Sequence, residues 1–224
     1  MDLLFTPAKL GTCELKNRIV RSATNGHLSD EKGQVTPLWA DTLIELVKNE
    51  VGLVITGHFC VDKMQRADAG QPVLDETTDE SLLRRACDGV HRYGGKLFFQ
   101  LSHSGIKGVE SVNGAPPKHP EDFTREELDR LVEQFAFAAK KCKESGADGV
   151  QVSGIDFNRR AGQKTPFYLD ALICEPDFAA KLKSGAQDGS KCLACNGCYT
   201  IYRKRFVRCV QHQDEIEQFK TIPW

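Results

Sequence analysis

Four short strand-forming runs divide the first 152 residues, and each is separated from the next by a stretch long enough for a helix. The runs are Arg18-Ile19-Val20-Arg21-Ser22, Val51 to Thr56, Lys96 to Leu101 and Ala147 to Val152. Val51-Gly52-Leu53-Val54-Ile55-Thr56 is apolar without alternation, the pattern of a strand covered on both faces of a parallel sheet. Between the runs, apolar residues recur at helical spacing. Leu38, Trp39, Leu43, Leu46 and Val47 give one helix its apolar face. Thr36 stands at its N-cap and Pro37 at its first position, where a missing N–H costs nothing. Leu82, Leu83, Ala86 and Val90 mark a second helix over about 79–92, ended by Gly94-Gly95. Thr124 and Glu127 form a capping box ahead of Leu128, Leu131, Val132, Phe135, Ala139 and Cys142. Gly105 to Asp122, rich in Gly and Pro, reads as a long loop.

The order β-α-β-α-β-α-β demands helical crossovers, and hence a parallel sheet with right-handed connections. Spacing alone leaves a barrel and an open doubly wound sheet equally available. Ser22-Ala23-Thr24-Asn25-Gly26, after the first strand, lacks the G-x-G-x-x-G of a Rossmann turn, and there is no P-loop.

The balance of charge excludes other classes. A net charge of −1, with 40% apolar and 27% charged residues, is ordinary for a folded chain. It gives no dominant footprint for nucleic acid. No run reaches the ~18 apolar residues of a membrane helix, and residues 1–10 lack a signal-peptide core. A cytoplasmic protein without membrane contact is the expectation.

After Val152 the rhythm breaks. Ser153 to Asp170 is polar and carries Arg159 and Arg160, which read as solvated loop charges. Glu175-Pro176-Asp177 starts a short helix through Phe178 and Leu182. The boundary near Val152 separates an N-terminal β/α half, 1–152, from a C-terminal segment, 153–224.

Nine cysteines is a high and odd number. Cys13, Cys60, Cys87, Cys142 and Cys174 are scattered and read as small buried apolar residues. The other four are clustered: Cys192-x2-Cys195-x2-Cys198-x10-Cys209. Four soft thiolates at this spacing suit an iron–sulfur cluster or tetrahedral zinc, and free thiols are the competing reading. Between Lys181 and Cys209 the basic residues Lys181, Lys183, Lys191, Arg203, Lys204, Arg205 and Arg208 face one acid, Asp188. That composition admits a nucleic-acid-binding zinc module as a rival, although the positive charge equally offsets the thiolates.

Several motifs, in order, carry a family resemblance. Leu4-Phe5-Thr6-Pro7 and Leu15-Lys16-Asn17-Arg18-Ile19-Val20-Arg21-Ser22-Ala23-Thr24 resemble the opening of old yellow enzyme-type NAD(P)H:flavin oxidoreductases. Val51 to His58, Gly95 to Gly105 and Ala147 to Val152 resemble that family's second, third and fourth strands. Ala171 to Asp177 and Lys191 to Cys198 resemble the segment after its last strand.

The resemblance implies a partial (β/α)8 TIM barrel: about four N-terminal β/α units plus the C-terminal cysteine-rich segment. A complete barrel takes ~250 residues. Internal stretches near Val152 and near Asp170 are therefore expected to be missing, so the chain reads as an internally shortened member. The family carries FMN at the C-terminal strand ends. By resemblance, Ser22, Ala23 and Thr24 lie beneath the flavin, Gly57 permits close backbone approach, and the Gln100 amide suits its mixed donor and acceptor edge. The competing reading makes these five ordinary strand-end residues. His27, His58 and His103 also lie near strand ends and read as structural or supporting groups rather than catalytic ones.

The expected activity is hydride transfer from NAD(P)H through FMN to an enone-like small molecule. Some family members hold a [4Fe–4S] cluster with four cysteines in the region of Cys192, Cys195, Cys198 and Cys209. The family's phosphate-binding Arg and Gly-rich loops, and its substrate-binding pair of His or His and Asn, have no counterparts in this sequence. The alternative is a non-catalytic remnant, or a half-barrel that associates through exposed sheet edges.

Overall fold

In the computed structural model, residues 2–154, 175–188 and 191 are described. An antiparallel hairpin opens the chain, pairing β1 (Ala8–Leu10) with β2 (Cys13–Leu15). The sequence reading has no counterpart for it, because its three-residue strands are too short to show a period.

The body is a four-stranded sheet in the order β3 (Val20–Arg21), β4 (Leu53–Cys60), β5 (Lys96–His103), β6 (Gly149–Gly154). Every neighbouring pair is parallel. The crossovers are α1 (Pro37–Lys48), α2 (Glu80–Arg92) and α4 (Arg125–Glu144). The predicted loop before α4 contains the one-turn helix α3 (Glu110–Asn113) and two short 3-10 turns. After the undescribed segment, α5 (Phe178–Ser184) follows Asp177 as expected.

The helix boundaries have local causes. The Thr124 hydroxyl accepts from the Glu127 amide at 3.2 Å, and the Glu127 carboxylate accepts from the Thr124 amide at 2.8 Å. Asp79 accepts from the Ser81 amide at 2.9 Å and caps α2. Thr36 occupies the N-cap of α1 but does not cap with its hydroxyl, which donates to the Leu28 carbonyl at 2.8 Å. The left-handed backbone after α2 is taken by Gly94, at φ +69°.

Leu97, Phe99 and Leu101 alternate along β5 and are fully buried beneath the helices. Trp39 of α1 meets Phe59 and Phe99 at ring-centroid distances of 5.7 and 6.1 Å. Phe178 and Ala179 of α5 join this core, and Lys183 pairs with Glu50 at 2.9 Å. α5 thus packs into the core that the sheet shares with α1, α2 and α4.

The β6 side differs. Val150 and Val152 stand in register with buried Phe99 and Leu101, yet Val152 is 67% exposed. Among the described residues, no strand pairs with the outer edge of β6. The structure therefore establishes a parallel α/β sheet of four strands.

Three strands run further than the sequence suggests, β6 among them, which continues past Val152 to Gly154. β4 continues from Thr56 to Cys60 through a register shift between Ile55 and His58. β5 continues to His103. Gly57 and His58 in β4, and Ser102 in β5, mask these extensions in the sequence, although Ser102 is fully buried.

Of the scattered cysteines, Cys60, Cys87 and Cys142 are buried, as expected, and Cys13 is only half-buried because it lies on the exposed hairpin. Cys174 lies outside the described residues.

Candidate functional site

The sheet brings the five predicted ring-side residues to its C-terminal half. Ser22, Ala23 and Thr24 follow directly on β3. Gly57 and Gln100 lie inside their strands, each three residues before the end.

The turn after β3 is held by its own arginine. Arg21 Nη1 donates to the Ser22 carbonyl at 2.7 Å and also to Thr24 Oγ1. Thr24 Oγ1 lies 3.2 Å from the Ser22 carbonyl. Gly57 serves this turn. A Cβ there would lie 2.6 Å from the Thr24 carbonyl oxygen and 2.9 Å from Asn25 Cα. Only glycine lets the two backbones meet so closely. Its small size admits the neighbouring turn, whereas the sequence reading assigns the approach to a ring.

Gln100 lies in a row across three strands. It is in register with His58 on β4 and with Gln151 on β6, and paired positions of parallel strands face the same side. Gln100 Nε2 donates to Gln151 Oε1 at 2.7 Å. The row presents amides and an imidazole, groups suited to the polar edges of a planar heterocycle.

The loop between β4 and α2 folds over the end of this row. Cys60 donates its amide to the Pro72 carbonyl at 2.8 Å and accepts from the Leu74 amide at 2.9 Å. Gln71 is thereby fully buried. Its Nε2 lies 2.8 Å from His58 Nδ1 and 3.2 Å from Ser102 Oγ. Burial pulls the His58 imidazole below its ordinary value, partly opposed by Asp68.

A second polar knot joins the β3–α1 and β4–α2 loops. Asp68 accepts from Asn25 Nδ2 at 2.9 Å and from the Gly70 amide at 2.8 Å, and its carboxylate lies 3.1 Å from His27 Nδ1. His27 is held at φ +53°. Gln71, Asp68 and Gln151 are absent from the sequence-predicted set. Gln71 and Asp68 sit in an irregular loop where no period signals them, while Gln151 alternates with valines on β6 and reads as an ordinary solvent-facing position.

His103 stands apart from the row. Its Nδ1 accepts from the Gly105 amide at 3.1 Å and its ring meets Phe123 edge-on, 5.7 Å between centroids. Those contacts are structural.

Arg159, Arg160, Cys192, Cys195, Cys198 and Cys209 all lie outside the described residues. Among the described residues, no three His, Cys, Asp or Glu side chains converge on a metal-sized site. Among them too, no helix is long and apolar enough to cross a membrane.

The chain is 34% identical over 169 residues to a metal reductase of Desulforamulus reducens, covering 68% of this chain and 24% of that protein. It is 27% identical to an NADH oxidase of Thermoanaerobacter brockii, covering 67% of this chain and 25% of the relative. Against an NADPH dehydrogenase of Listeria monocytogenes the identity is 29%, over 68% of this chain and 48% of the relative. The chain thus spans about a quarter to a half of these relatives.

Among solved structures, a 2-naphthoyl-CoA reductase complex superposes with a TM-score of 0.62 at 23% identity, over 67% of this chain and 27% of the other. The old yellow enzyme homologue of Zymomonas mobilis superposes with a TM-score of 0.59 at 22% identity, over 66% of this chain and 47% of the other. These likenesses show the fold. The model of the NADH:flavin oxidoreductase / NADH oxidase family matches residues 3–156, more than half of the chain, and the chain belongs to that family.

Proposed function

We propose that the chain binds FMN at the C-terminal half of its sheet and acts as an NAD(P)H-dependent flavin oxidoreductase. Its acceptor in this reading is a small enone-like molecule. The observation that carries the reading is the shared face of His58, Gln100 and Gln151 beside the Ser22–Thr24 turn, in a chain of this family. Ser22, Ala23 and Thr24 would lie beneath the ring, and the Gln100 amide would meet its mixed edge. FMN, when bound, supplies hydride acceptance and delivery. The residues of the chain orient the ring and fix the protonation of the groups around it.

Cys192, Cys195, Cys198 and Cys209 are proposed to hold a [4Fe–4S] cluster, supported by their spacing. Cytoplasmic operation belongs to the same reading. The test is a UV–visible spectrum of the full chain purified anaerobically, before and after added FMN. Flavin bands that survive desalting support the reading, and a broad brown absorbance adds the cluster. A colourless sample that ignores FMN overturns it.

One observation favours a second reading. Val150 and Val152 lie on the face that the helices cover elsewhere, yet they are 38% and 67% exposed. We propose on this ground that β6 is an association edge for a second copy of the chain, with or without catalysis. The mass of the particle in solution decides it.

A further inference from the structure

Loop backbone orients the Gln71 side chain. The Ala67 amide donates to its Oε1 at 2.6 Å, so the Nε2 end faces His58. An amide NH2 only donates. Around Gln71 Nε2 stand three acceptors: His58 Nδ1, nearest at 2.8 Å, and Ser102 Oγ and the His58 carbonyl oxygen, each at 3.2 Å; with the nearest accepting, the ring proton sits on His58 Nε2. Ser102 Oγ, 3.0 Å from the same Nδ1, completes the pocket around the unprotonated nitrogen. Nε2 has no hydrogen-bond partner among the described residues, and the residue is only half-buried.

We infer that Gln71 is a positioning residue: it fixes His58 as the Nε2–H tautomer, so that β4 offers an uncharged hydrogen-bond donor beside Gln100. The ligand class this suits is a neutral carbonyl-type acceptor, on the bound ring or on a substrate stacked against it. The ligand half of this inference rests on the flavin reading, whereas the tautomer does not.

The surroundings favour a neutral ring. The charged or titratable groups near it are Asp68 of the β4–α2 loop and His27 of the β3–α1 loop, and their influences oppose each other. From β5 the ring meets Ser102, with Gln100 in register beside it. Burial dominates and disfavours the imidazolium. Protonating His58 would also set an N–H of the ring against the Gln71 amide N–H. A positive ring would bind an anion; this ring, kept neutral, is a donor without charge.

The test is imidazole 15N–1H correlation spectroscopy on the full chain, labelled at histidine, with His58 assigned from the signal lost in His58→Gln. The expected spectrum shows Nε2 protonated, with a titration midpoint below that of an exposed histidine. Protonation at Nδ1 overturns the inference. In Gln71→Glu the new carboxylate accepts, so the proton should move to Nδ1 and the midpoint should rise. An unchanged tautomer in a folded Gln71→Glu chain also overturns it. If that variant does not fold, the wild-type spectrum alone decides.

Added FMN separates the two readings. A flavin-bound chain whose His58 Nε2 signal shifts supports the donor role. A flavin-bound chain whose His58 signals stay fixed overturns that role and leaves the flavin reading standing. A chain that takes up no FMN sinks the flavin reading, while the free-chain tautomer still decides what Gln71 does.

Discussion

Gln100 and Gln151 stand directly opposite each other on β5 and β6, and the Gln100 amide donates to the Gln151 carbonyl oxygen at 2.7 Å. The contact orients Gln100 but occupies one of its donors. A ring that binds there competes for that donor or takes the remaining one. Gln100→Leu is expected to weaken FMN binding by about 10-fold or more, the loss of a hydrogen bond worth ~1.5 kcal/mol. Gln151→Ala should weaken it less. Flavin fluorescence titration of both variants measures the order.

Gly57→Ala should destabilise the chain by about 1–3 kcal/mol, because its Cβ would press on the Thr24 carbonyl. Gly57→Val should cost more. Urea unfolding followed by far-UV circular dichroism reads the loss. A variant as stable as wild type would show that the β3 turn does not need this close approach.

Asp148 is the expected source of acid sensitivity at the opposite end of the sheet. Its carboxylate accepts from Lys96 Nζ at 2.8 Å, from the Leu97 amide at 2.9 Å and from His91 Nε2 at 2.7 Å. Burial raises its pKa, but Lys96, the Leu97 amide and His91 outweigh burial and hold it below the ordinary carboxylate value. A lowered folded value means that the unfolded chain binds the proton more readily. The stabilisation is therefore complete above the unfolded value, about pH 4, and is lost as pH falls through the folded one. In Asp148→Asn the acid limb of a stability–pH profile should flatten, with about 1–3 kcal/mol lost at neutral pH.

Cys60, Cys87 and Cys142 should resist alkylation in the folded chain. Burial pushes each thiol up to about 12, so almost no thiolate exists at pH 8. Iodoacetamide labelling with peptide mass mapping should leave these three unmodified natively and modify them in urea. Labelling at native-state rates equal to those in urea would contradict their placement.

Val150→Lys with Val152→Lys tests the open edge. If β6 joins two copies, the double variant should shift the particle toward the monomer mass in light scattering, with the circular dichroism spectrum unchanged. An unaltered mass removes β6 as the association edge.

The parallel α/β order was legible because its determinants are local. Thr124 with Glu127, Asp79, and the Gly94-Gly95 pair each set a helix end through neighbours a few residues away. The helical faces of Trp39, Leu43 and Leu46 did the rest. What escaped is non-local. The end of β5 depends on Ser102 being buried by chain arriving from elsewhere. The role of Gly57 depends on a turn 33 residues earlier, visible only as a distance to Thr24. Gln71 matters because loop backbone, through the Ala67 amide, turns its side chain toward His58. No spacing rule encodes that contact.

The seating of α5 gives the sheet a direction. Phe178 and Ala179 fasten the C-terminal helix to the core, and Lys183 ties it beside Glu50. α5 is thereby held to the common core, while among the described residues β6 keeps its outer edge unpaired. Additional β/α units spliced between Gly154 and Glu175 would therefore extend the fold from β6 onward without displacing α5. The described part behaves like a clasp held shut by α5, with the outer edge of β6 as the side that no described strand closes.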